Sequence, residues 1–255
     1  MPDDAFERSV DRAVELLAAA RRVVATTGAG MSKESGIPTF RDAQSGLWSN
    51  YNLEMLATRE GFRRNPPLVW SWYAERRERI AGASPHEGHR ALARMEPWFD
   101  SFDVLTQNID GLHIAAGSSR VVELHGSIQR VKCFDANHPA SGPFTGDEIP
   151  PRCHCGSFLR PDVVWFGEIL DPAHLDRAYE AIGACQVMLV IGTSGLVHPA
   201  AAFPEAARDL GAWVIEINPE PTPITPVAHV CVRSGARDAL VEIEQRLSPA
   251  RRQGR

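Results

Sequence analysis

The chain has 255 residues, of which 44% are hydrophobic and 23% charged, and its formal net charge is −5. This composition is typical of a soluble globular protein, and the acidic balance does not favour a protein held on nucleic acid by a general basic field. No run of about 18 apolar residues is present, which excludes a predicted membrane helix. The acidic start does not resemble a secretory signal, so we expect a cytoplasmic protein.

Length and cysteine content bound the architecture. Five cysteines, an odd number in a long chain, do not favour a disulfide framework. A chain of 255 residues is long for one simple domain and short for two full ones. We therefore expect a single large core that carries a small inserted module.

Hydrophobic periodicity predicts the order of the elements. A first helix is indicated by apolar residues at helical spacing, namely Phe6, Val10, Ala13, Val14 and Leu17. Apolar runs predict strands over residues 23–27, 102–106, 121–124, 187–191, 213–217 and 230–232, and helices over 201–210 and 236–247. Residues 47–80 are helix-prone and aromatic with an interruption at 65–67, whereas about 126–162 are rich in Pro, Gly and Cys. The alternation predicts a doubly wound, parallel α/β sheet, with the Pro- and Cys-rich segment as the inserted module.

The loop after the first strand, residues 28–41, carries the most informative motif. Gly28 and Gly30 allow a tight turn and a close approach of the backbone to a pyrophosphate. Phe40 and Arg41 then supply an apolar plate and a fixed positive charge. The spacing does not match a full Gly-x-Gly-x-x-Gly fingerprint, and no acidic residue clearly takes the ribose position about 20 residues on. The loop predicts a dinucleotide held by a chemically active segment, with a purely structural turn as the alternative.

Polar residues follow several other predicted strands. Ligands of open α/β sheets bind at the carboxyl ends of the strands, so these side chains are candidates for one shared site. The candidates are Gln107, Asn108, Ile109 and Asp110 after the second strand, His125 after the third, Gly192, Thr193 and Ser194 after the fourth, and Asn218 after the fifth. An imidazole at a strand end is suited to general base chemistry near neutral pH. An Asx-turn, ordinary turn chemistry or a structural histidine would explain each motif taken alone.

Five motifs in this order resemble the sirtuins, the NAD-dependent protein-lysine deacylases. They occupy residues 28–41, 106–113, 124–126, 163–168 and 192–194, and the resemblance covers about residues 5–247. It implies one catalytic domain over 1–255, with a large Rossmann-like part over about 1–40, 90–125 and 165–247. A smaller part would comprise a helical region, about 41–89, and a zinc-ribbon-like region, about 126–164, and residues 248–255 would form a flexible tail.

The resemblance also implies roles for named residues. NAD would be consumed as a co-substrate, with Asn108, Asp110 and His125 as catalytic residues and His125 removing a proton from a ribose hydroxyl. The residues that would bind NAD are Gly28, Ala29, Gly30, Phe40, Arg41, Gln107, Asn108, Ile109, Asp110, Gly192, Thr193, Ser194 and Asn218. Backbone groups around Val164, Phe166 and Gly167 would bind the substrate peptide as an added strand.

A Tyr-x-x-Arg pair sharpens the expected substrate. Tyr73 and Arg76 are three residues apart on a predicted helix and so share a face. A guanidinium pairs bidentately with a carboxylate, and a phenol adds a donor. The pair resembles the one that desuccinylase-type sirtuins use for succinyl- or malonyl-lysine, and Ala57 resembles the small residue that makes room for the acyl group. The alternative is a solvated helix charge at Arg76 and a core tyrosine.

The cysteine pattern departs from the two Cys-x-x-Cys pairs of most sirtuins. Cys133, Cys153 and Cys155 remain as candidate zinc ligands, and Asp135, His138 or His154 could supply a fourth. A module that has lost its metal and depends on packing is the equal alternative.

The sequence thus predicts an NAD-dependent deacylase that removes succinyl or malonyl groups, and acetyl groups more weakly, and yields nicotinamide and O-acyl-ADP-ribose. The alternatives are a mono-ADP-ribosyltransferase and a silent module that binds NAD or acylated peptide. We expect acyl-lysine proteins as partners, no nucleic acid or membrane, and a monomer.

Overall fold

The computed structural model describes residues 2–38, 53–140 and 148–252. Its larger sheet consists of β1 Arg22–Thr27, β2 Ser101–Thr106, β3 Val121–Glu123, β7 Val187–Ile191, β8 Trp213–Ile217 and β9 Val230–Val232. This sheet is parallel throughout, with strand order β3-β2-β1-β7-β8-β9. The predicted positions of these strands are confirmed.

Helices cover both faces of this sheet. One face packs against α1 Pro2–Ala19, α5 Glu87–Met95 and α9 Ala236–Arg252, and the other against α7 Pro172–Ala184 and α8 Phe203–Asp209. Side chains alternate between the two cores along β1, where Val23 and Ala25 enter one and Val24 the other. Burial on both faces explains the nearly continuous apolar strands and confirms the doubly wound architecture.

Two helix boundaries differ from the expectation. The α8 helix is shorter than the predicted 201–210, because residues 200–202 form a 3₁₀ turn. The α9 helix continues to Arg252, beyond the predicted end at residue 247. Within the described ranges, no helix combines the length and apolar character that crossing a bilayer requires.

A second, antiparallel sheet lies in the segment predicted as an inserted module. It contains β4 Gly126–Cys133, β5 Pro139–Ala140 and β6 Leu159–Val163, in the order β5-β4-β6. Three helices pack against it through a separate apolar cluster that includes Phe62, Trp72, Ile128 and Trp165. These helices are α2 Leu53–Leu56, α3 Arg59–Arg64 and α4 Pro66–Ala81.

The interruption predicted at residues 65–67 is confirmed. The α3 helix ends at Arg64 and α4 begins at Pro66, where a proline fits the first helical position. The Asn65 side chain accepts a hydrogen bond from the Leu68 amide at 3.2 Å and caps α4. This boundary fixes where α4 starts and hence which of its residues face the small sheet. The short helix α6, Leu112–Ala115, follows β2.

Candidate functional site

A cavity of about 790 Å³ opens at the carboxyl ends of the parallel strands, beside α4 and the segment after β6. The sequence-predicted residues that line it are Gly28, Ala29, Gly30, Ala57, Tyr73, Arg76, Gln107, Asn108, Ile109, Asp110, His125, Val164, Phe166, Gly167, Gly192, Thr193, Ser194 and Asn218. Phe40 and Arg41 lie outside the described residues. The cavity therefore brings together side chains from elements that are far apart in the sequence.

Two loops meet backbone to backbone at the floor of the cavity. The Gly30 amide donates to the Gly192 carbonyl at 2.8 Å, and the Gly28 amide donates to the Ile191 carbonyl at 3.0 Å. A Cβ added at Gly30 would lie 2.7 Å from the Gly192 oxygen, so a side chain would not fit. Gly192 has φ of +59°, a left-handed conformation that favours glycine. The glycines thus allow the two loops to pack main chain against main chain at this edge of the cavity.

A polar network holds Asn108 and Asp110. The side-chain nitrogen Nδ2 of Asn108 donates to the Gly28 carbonyl at 2.9 Å and to Ser32 Oγ at 3.1 Å. Ser32 donates in turn to one Asp110 oxygen at 2.7 Å, and the Leu112 amide donates to the other at 2.9 Å. Burial raises the pKa of Asp110, and these two hydrogen bonds partly oppose the rise. The network connects the glycine loop to the residues after β2, and Ser32 is a member that the motif analysis did not assign.

His125 has a defined tautomer. Its Nδ1 lies 3.0 Å from the Gln107 carbonyl oxygen, which can only accept, so Nδ1 carries the hydrogen in the neutral ring. The other nitrogen, Nε2, is then left with the lone pair that a general base uses. Burial lowers the pKa of His125, and the bond to Gln107 partly offsets this.

A glycine turn directs His125. Gly126 has φ of +75°, and a Cβ there would collide with the Asp162 carbonyl oxygen. The chain can therefore reverse immediately after His125 and begin β4. The Val164 amide donates to the His125 carbonyl at 2.9 Å and ties the histidine to the segment after β6.

Tyr73 and Arg76 lie on α4 and line the cavity. Tyr73 is 4% exposed and its pKa is raised by burial to about 12, so it stays a neutral donor at physiological pH. The Arg76 guanidinium lies 4.8 Å from the centre of the Trp72 ring, and burial lowers its pKa. Ala57, also buried, lines the same space. This placement differs from that of a charge on a solvated helix face.

The segment after β6 is an extended edge beside the cavity. Phe166 forms a parallel bridge with Thr58, and its amide donates to the Ala57 carbonyl at 2.9 Å. Phe166 is 52% exposed and Ile169 is 87% exposed. Gly167 has φ of +82° and turns the chain after this edge.

A buried ion pair supports this edge, and the sequence analysis did not find it. The Glu168 carboxylate accepts hydrogen bonds from Arg160 at 2.5 and 2.9 Å and from the Trp165 amide at 2.8 Å. Arg160 is fully buried, with its guanidinium 3.4 Å from the centre of the Trp165 ring. No local pattern predicts a buried arginine in a strand, because the partner that neutralises it comes from another turn of the chain.

A cysteine and histidine cluster lies in the small sheet. The ligand atoms of Cys133, His138, Cys153 and Cys155 all lie within 4.8 Å of one another. The Cys133 and Cys155 sulfurs are 3.5 Å apart, and the Cys153 sulfur is 3.6 Å from His138 Nε2. A tetrahedral zinc ion with bonds of about 2.0–2.3 Å separates its ligand atoms by roughly 3.4–3.8 Å. The four residues therefore fit a structural zinc ion, whereas Asp135 and His154 are not in the group.

Comparisons with known sequences agree with this arrangement. The sequence model of the Sir2 family matches residues 28–199. An NAD-dependent protein deacylase of Aquifex aeolicus is 50% identical over 223 residues, which are 87% of this chain and 93% of that protein. NAD-dependent protein deacylase 2 of Pyrobaculum aerophilum is 48% identical over 238 residues, 91% of this chain and 95% of that protein.

Solved structures agree as well. A Sir2 homologue in complex with NAD superposes with a TM-score of 0.88 at 42% identity and covers 94% of each chain. Sir2Af2 bound to a myristoylated histone peptide superposes with a TM-score of 0.77 at 33% identity, over 97% of this chain and 99% of that one.

Proposed function

This chain belongs to the Sir2 family of NAD-dependent enzymes, and from that premise we propose that it is a protein-lysine deacylase that favours acidic acyl groups. It removes succinyl and malonyl groups, and acetyl groups more slowly, and yields nicotinamide and O-acyl-ADP-ribose. The observation that carries the proposal is one cavity lined by His125, by the glycine loops and by the Tyr73–Arg76 pair.

The glycine loops and the strand-end amides support NAD binding in the part of the cavity that they line. When bound, NAD supplies a ribose carbon from which nicotinamide can leave. The glycine loops that Gly28, Gly30 and Gly192 allow to pack together line the cavity and would bind the diphosphate, and NAD binding itself is supported by the solved NAD complex of a Sir2 homologue. The Asn218 amide donates to the Thr193 carbonyl at 3.0 Å, and Gln107 donates to Thr193 Oγ1 at 3.1 Å. These bonds hold the Thr193–Ser194 loop for contact with a ribose.

We assign the orientation of NAD and the proton transfer to three residues, Asn108, Asp110 and His125. Asn108 and Asp110 orient the nicotinamide ribose and carboxamide, since the Ser32 network fixes both side chains. His125 accepts a ribose proton at Nε2, because its Nδ1–H is committed to the Gln107 carbonyl. Phe40 and Arg41 remain predicted members of the NAD site.

Tyr73 and Arg76 account for the acyl preference. A succinyl or malonyl group ends in a carboxylate, which a guanidinium binds strongly in a partly desolvated pocket. An acetyl group has nothing for Arg76 to bind. The edge formed by Val164, Phe166 and Gly167 binds the substrate backbone as an added strand, a role supported by the exposure of Phe166.

The proposal also includes a zinc site, an oligomeric state and a location in the cell. Cys133, His138, Cys153 and Cys155 hold a structural zinc ion that crosslinks the small sheet. We expect a monomer that acts on acyl-lysine proteins in the cytoplasm, divided into large and small parts as the sequence resemblance implies.

The test is a mass-spectrometric assay of one peptide that carries succinyl-, malonyl- or acetyl-lysine, with and without NAD. NAD-dependent loss of succinyl or malonyl, faster than loss of acetyl, is the expected result. Faster loss of acetyl would keep the family activity and overturn the acyl preference. A parallel His125→Ala variant should bind NAD in a titration yet fail to turn over, which separates a catalytic role from a silent binding module.

A further inference from the structure

Trp165 is a buried tryptophan to which the proposed function assigns no role. Its indole Nε1–H donates a hydrogen bond to the phenolic oxygen of Tyr73 at 2.9 Å, across a separation of 92 residues. The two side chains are 2% and 4% exposed, and both line the cavity. The contact therefore links the segment after β6 directly to the acyl end of the site.

This hydrogen bond limits the direction in which Tyr73 can donate. A phenol has one hydrogen to donate, and its oxygen accepts. Since the oxygen already accepts from Trp165, the hydroxyl hydrogen must point away from the indole. Among the hydrogen bonds of the described residues, none has the Tyr73 hydroxyl as donor. Its acceptor is therefore solvent or a ligand in the cavity.

We propose that Trp165 is a positioning residue for acyl specificity: its indole N–H orients the Tyr73 hydroxyl so that the phenol donates to the carboxylate of a succinyl or malonyl group. The inference rests on the proposed acyl preference and extends it to a residue that does not itself bind the carboxylate. Arg76 supplies the charge in this arrangement, and Trp165 sets the geometry of the second donor.

The surroundings of Trp165 hold the indole in place. The Arg160 guanidinium lies 3.4 Å from the centre of the Trp165 ring, and the Trp165 main-chain amide donates to the Glu168 carboxylate at 2.8 Å. Arg160 and Glu168 form a buried ion pair, so a swing of the ring would disturb a desolvated charge. An indole fixed in this way can impose one orientation on the hydroxyl that it contacts.

Trp165 also lies between the peptide-binding residues. Val164 and Phe166 flank it in the chain and are tied to His125 and Ala57 by main-chain hydrogen bonds of 2.9 Å each. The backbone that would bind the substrate main chain thus also carries the side chain that orients the acyl clamp. One segment would therefore position both the main chain of a bound peptide and the acyl group on its lysine.

The experiment measures kcat and KM for succinyl- and acetyl-lysine peptides in wild type, Trp165→Phe and Tyr73→Phe, and in the double variant. Trp165→Phe keeps an aromatic ring and removes the N–H. We expect KM for the succinyl peptide to rise about tenfold with kcat changed less than about twofold, as for loss of one orienting hydrogen bond to a charged group. Both parameters for the acetyl peptide should stay within about twofold of wild type.

The double variant tests whether the two residues act together. Adding Trp165→Phe to Tyr73→Phe should cause no further loss on the succinyl peptide, because the hydroxyl to be oriented is already gone. Independent, additive losses would overturn the inference. The Tyr73→Phe arm removes the same hydrogen bond from the other side, so the inference stays testable if one variant folds poorly.

A matched control is Trp70→Phe, which changes a partly buried tryptophan on the same helix as Tyr73 and outside the cavity lining. It should leave the succinyl-to-acetyl ratio unchanged. If Trp165→Phe keeps the wild-type succinyl-to-acetyl ratio, the inference about Trp165 is overturned while the proposed acyl preference stands. A wild type without preference for the succinyl peptide would overturn the proposed acyl specificity and the inference with it.

Discussion

At the scale of single residues, the protonation of His125 should set the acid limit of activity. Burial lowers the pKa of this imidazole below its ordinary 6.5, so the neutral ring that a general base requires persists to more acidic pH. We expect kcat/KM to be flat around neutrality and to fall as pH drops below 6.5. The measurement is a pH–rate profile with nitrogen NMR of His125, and a fall that begins above pH 7 would contradict this assignment.

Replacement of Arg76 tests the charge of the acyl clamp. Arg76→Met keeps a long side chain and removes the guanidinium, so we expect kcat/KM for a succinyl peptide to fall about 100-fold, as for loss of a charge-assisted pair. Deacetylation should change less than about threefold. The matched control is Arg79→Met, because Arg79 lies on the same helix but faces solvent and pairs with Glu75. Equal losses on both substrates would refute the assigned role.

Single residues were predictable where local spacing carries the information. The Tyr73–Arg76 pair follows from the helical repeat, and the strand-end residues follow from their position after apolar runs. Ser32 and Trp165 were not found, because their contacts with Asp110 and Tyr73 join residues 78 and 92 positions apart. Such bonds exist only once the sheet and α4 are assembled.

At the scale of elements, the β4–β5 hairpin determines the fourth metal ligand. Asn137 takes a left-handed conformation with φ of +60°, and the Cys133 amide donates to the His138 carbonyl at 2.9 Å. The hairpin therefore returns His138 to the cysteines, whereas Asp135 does not join the cluster. Cysteine spacing left three candidates open, because spacing does not reveal which way a turn closes.

Zinc content tests this hairpin. His138→Ala should reduce bound zinc from about one per chain to well below half and lower the thermal midpoint, since a structural metal contributes folding free energy. The matched control is His154→Ala, because His154 stacks against His138 at 5.0 Å but is not in the ligand group. Elemental analysis of the purified proteins is the measurement. Wild type with less than about 0.2 zinc per chain would refute the metal site.

Two of the longer helices, α5 and α7, were missed although one carried a signal. The α7 helix begins with Asp171 as N-cap and Pro172 at the first position, and the Asp171 side chain accepts from the Ala173 amide at 2.9 Å. That pair is a known start pattern and could have located the helix. The α5 helix is capped instead by His86, which is an uncommon N-cap residue.

At the scale of the whole molecule, the large sheet was predictable and the small sheet was not. Strands covered on both faces are continuously apolar and so stand out in the sequence. The β6 strand instead contains the buried Arg160, which Glu168 neutralises, and its neighbourhood contains the metal cluster. The small sheet is stabilised by this ion pair in addition to its apolar cluster, and neither the ion pair nor the cysteine cluster produces a hydrophobic period in the sequence.

A buried histidine cluster should make the whole fold sensitive to acid. The rings of His86, His89 and His113 pack at steep angles to one another, with ring centres 4.2 and 4.9 Å apart, near Glu34 and Arg90. Burial lowers the pKa of His89 to about 2 and that of His113 to about 4. The unfolded chain takes up protons at these sites below about pH 6.5 while the folded chain does not. The free energy of unfolding therefore falls as pH drops below 6.5, by at most about 1.4 kcal/mol per pH unit for each group.

Urea titrations between pH 7 and 5 measure this dependence. His89→Gln removes one titrating group, so its unfolding free energy should decline less steeply with acid than that of wild type. Comparison of the two slopes cancels contributions from carboxylates and from metal release, which both proteins share. Identical slopes would show that His89 does not remain neutral in the fold.

The contact between the two glycine loops has an evolutionary consequence. A side chain at Gly28, Gly30 or Gly192 would meet facing main chain within 3 Å. Main chain cannot be exchanged for something smaller, so no second substitution elsewhere compensates for the first. We infer that glycine is retained at these three positions during evolution, while surface positions of the same loops can be substituted. In an alignment of related enzymes, these three invariant glycines would then mark the position of the cleft.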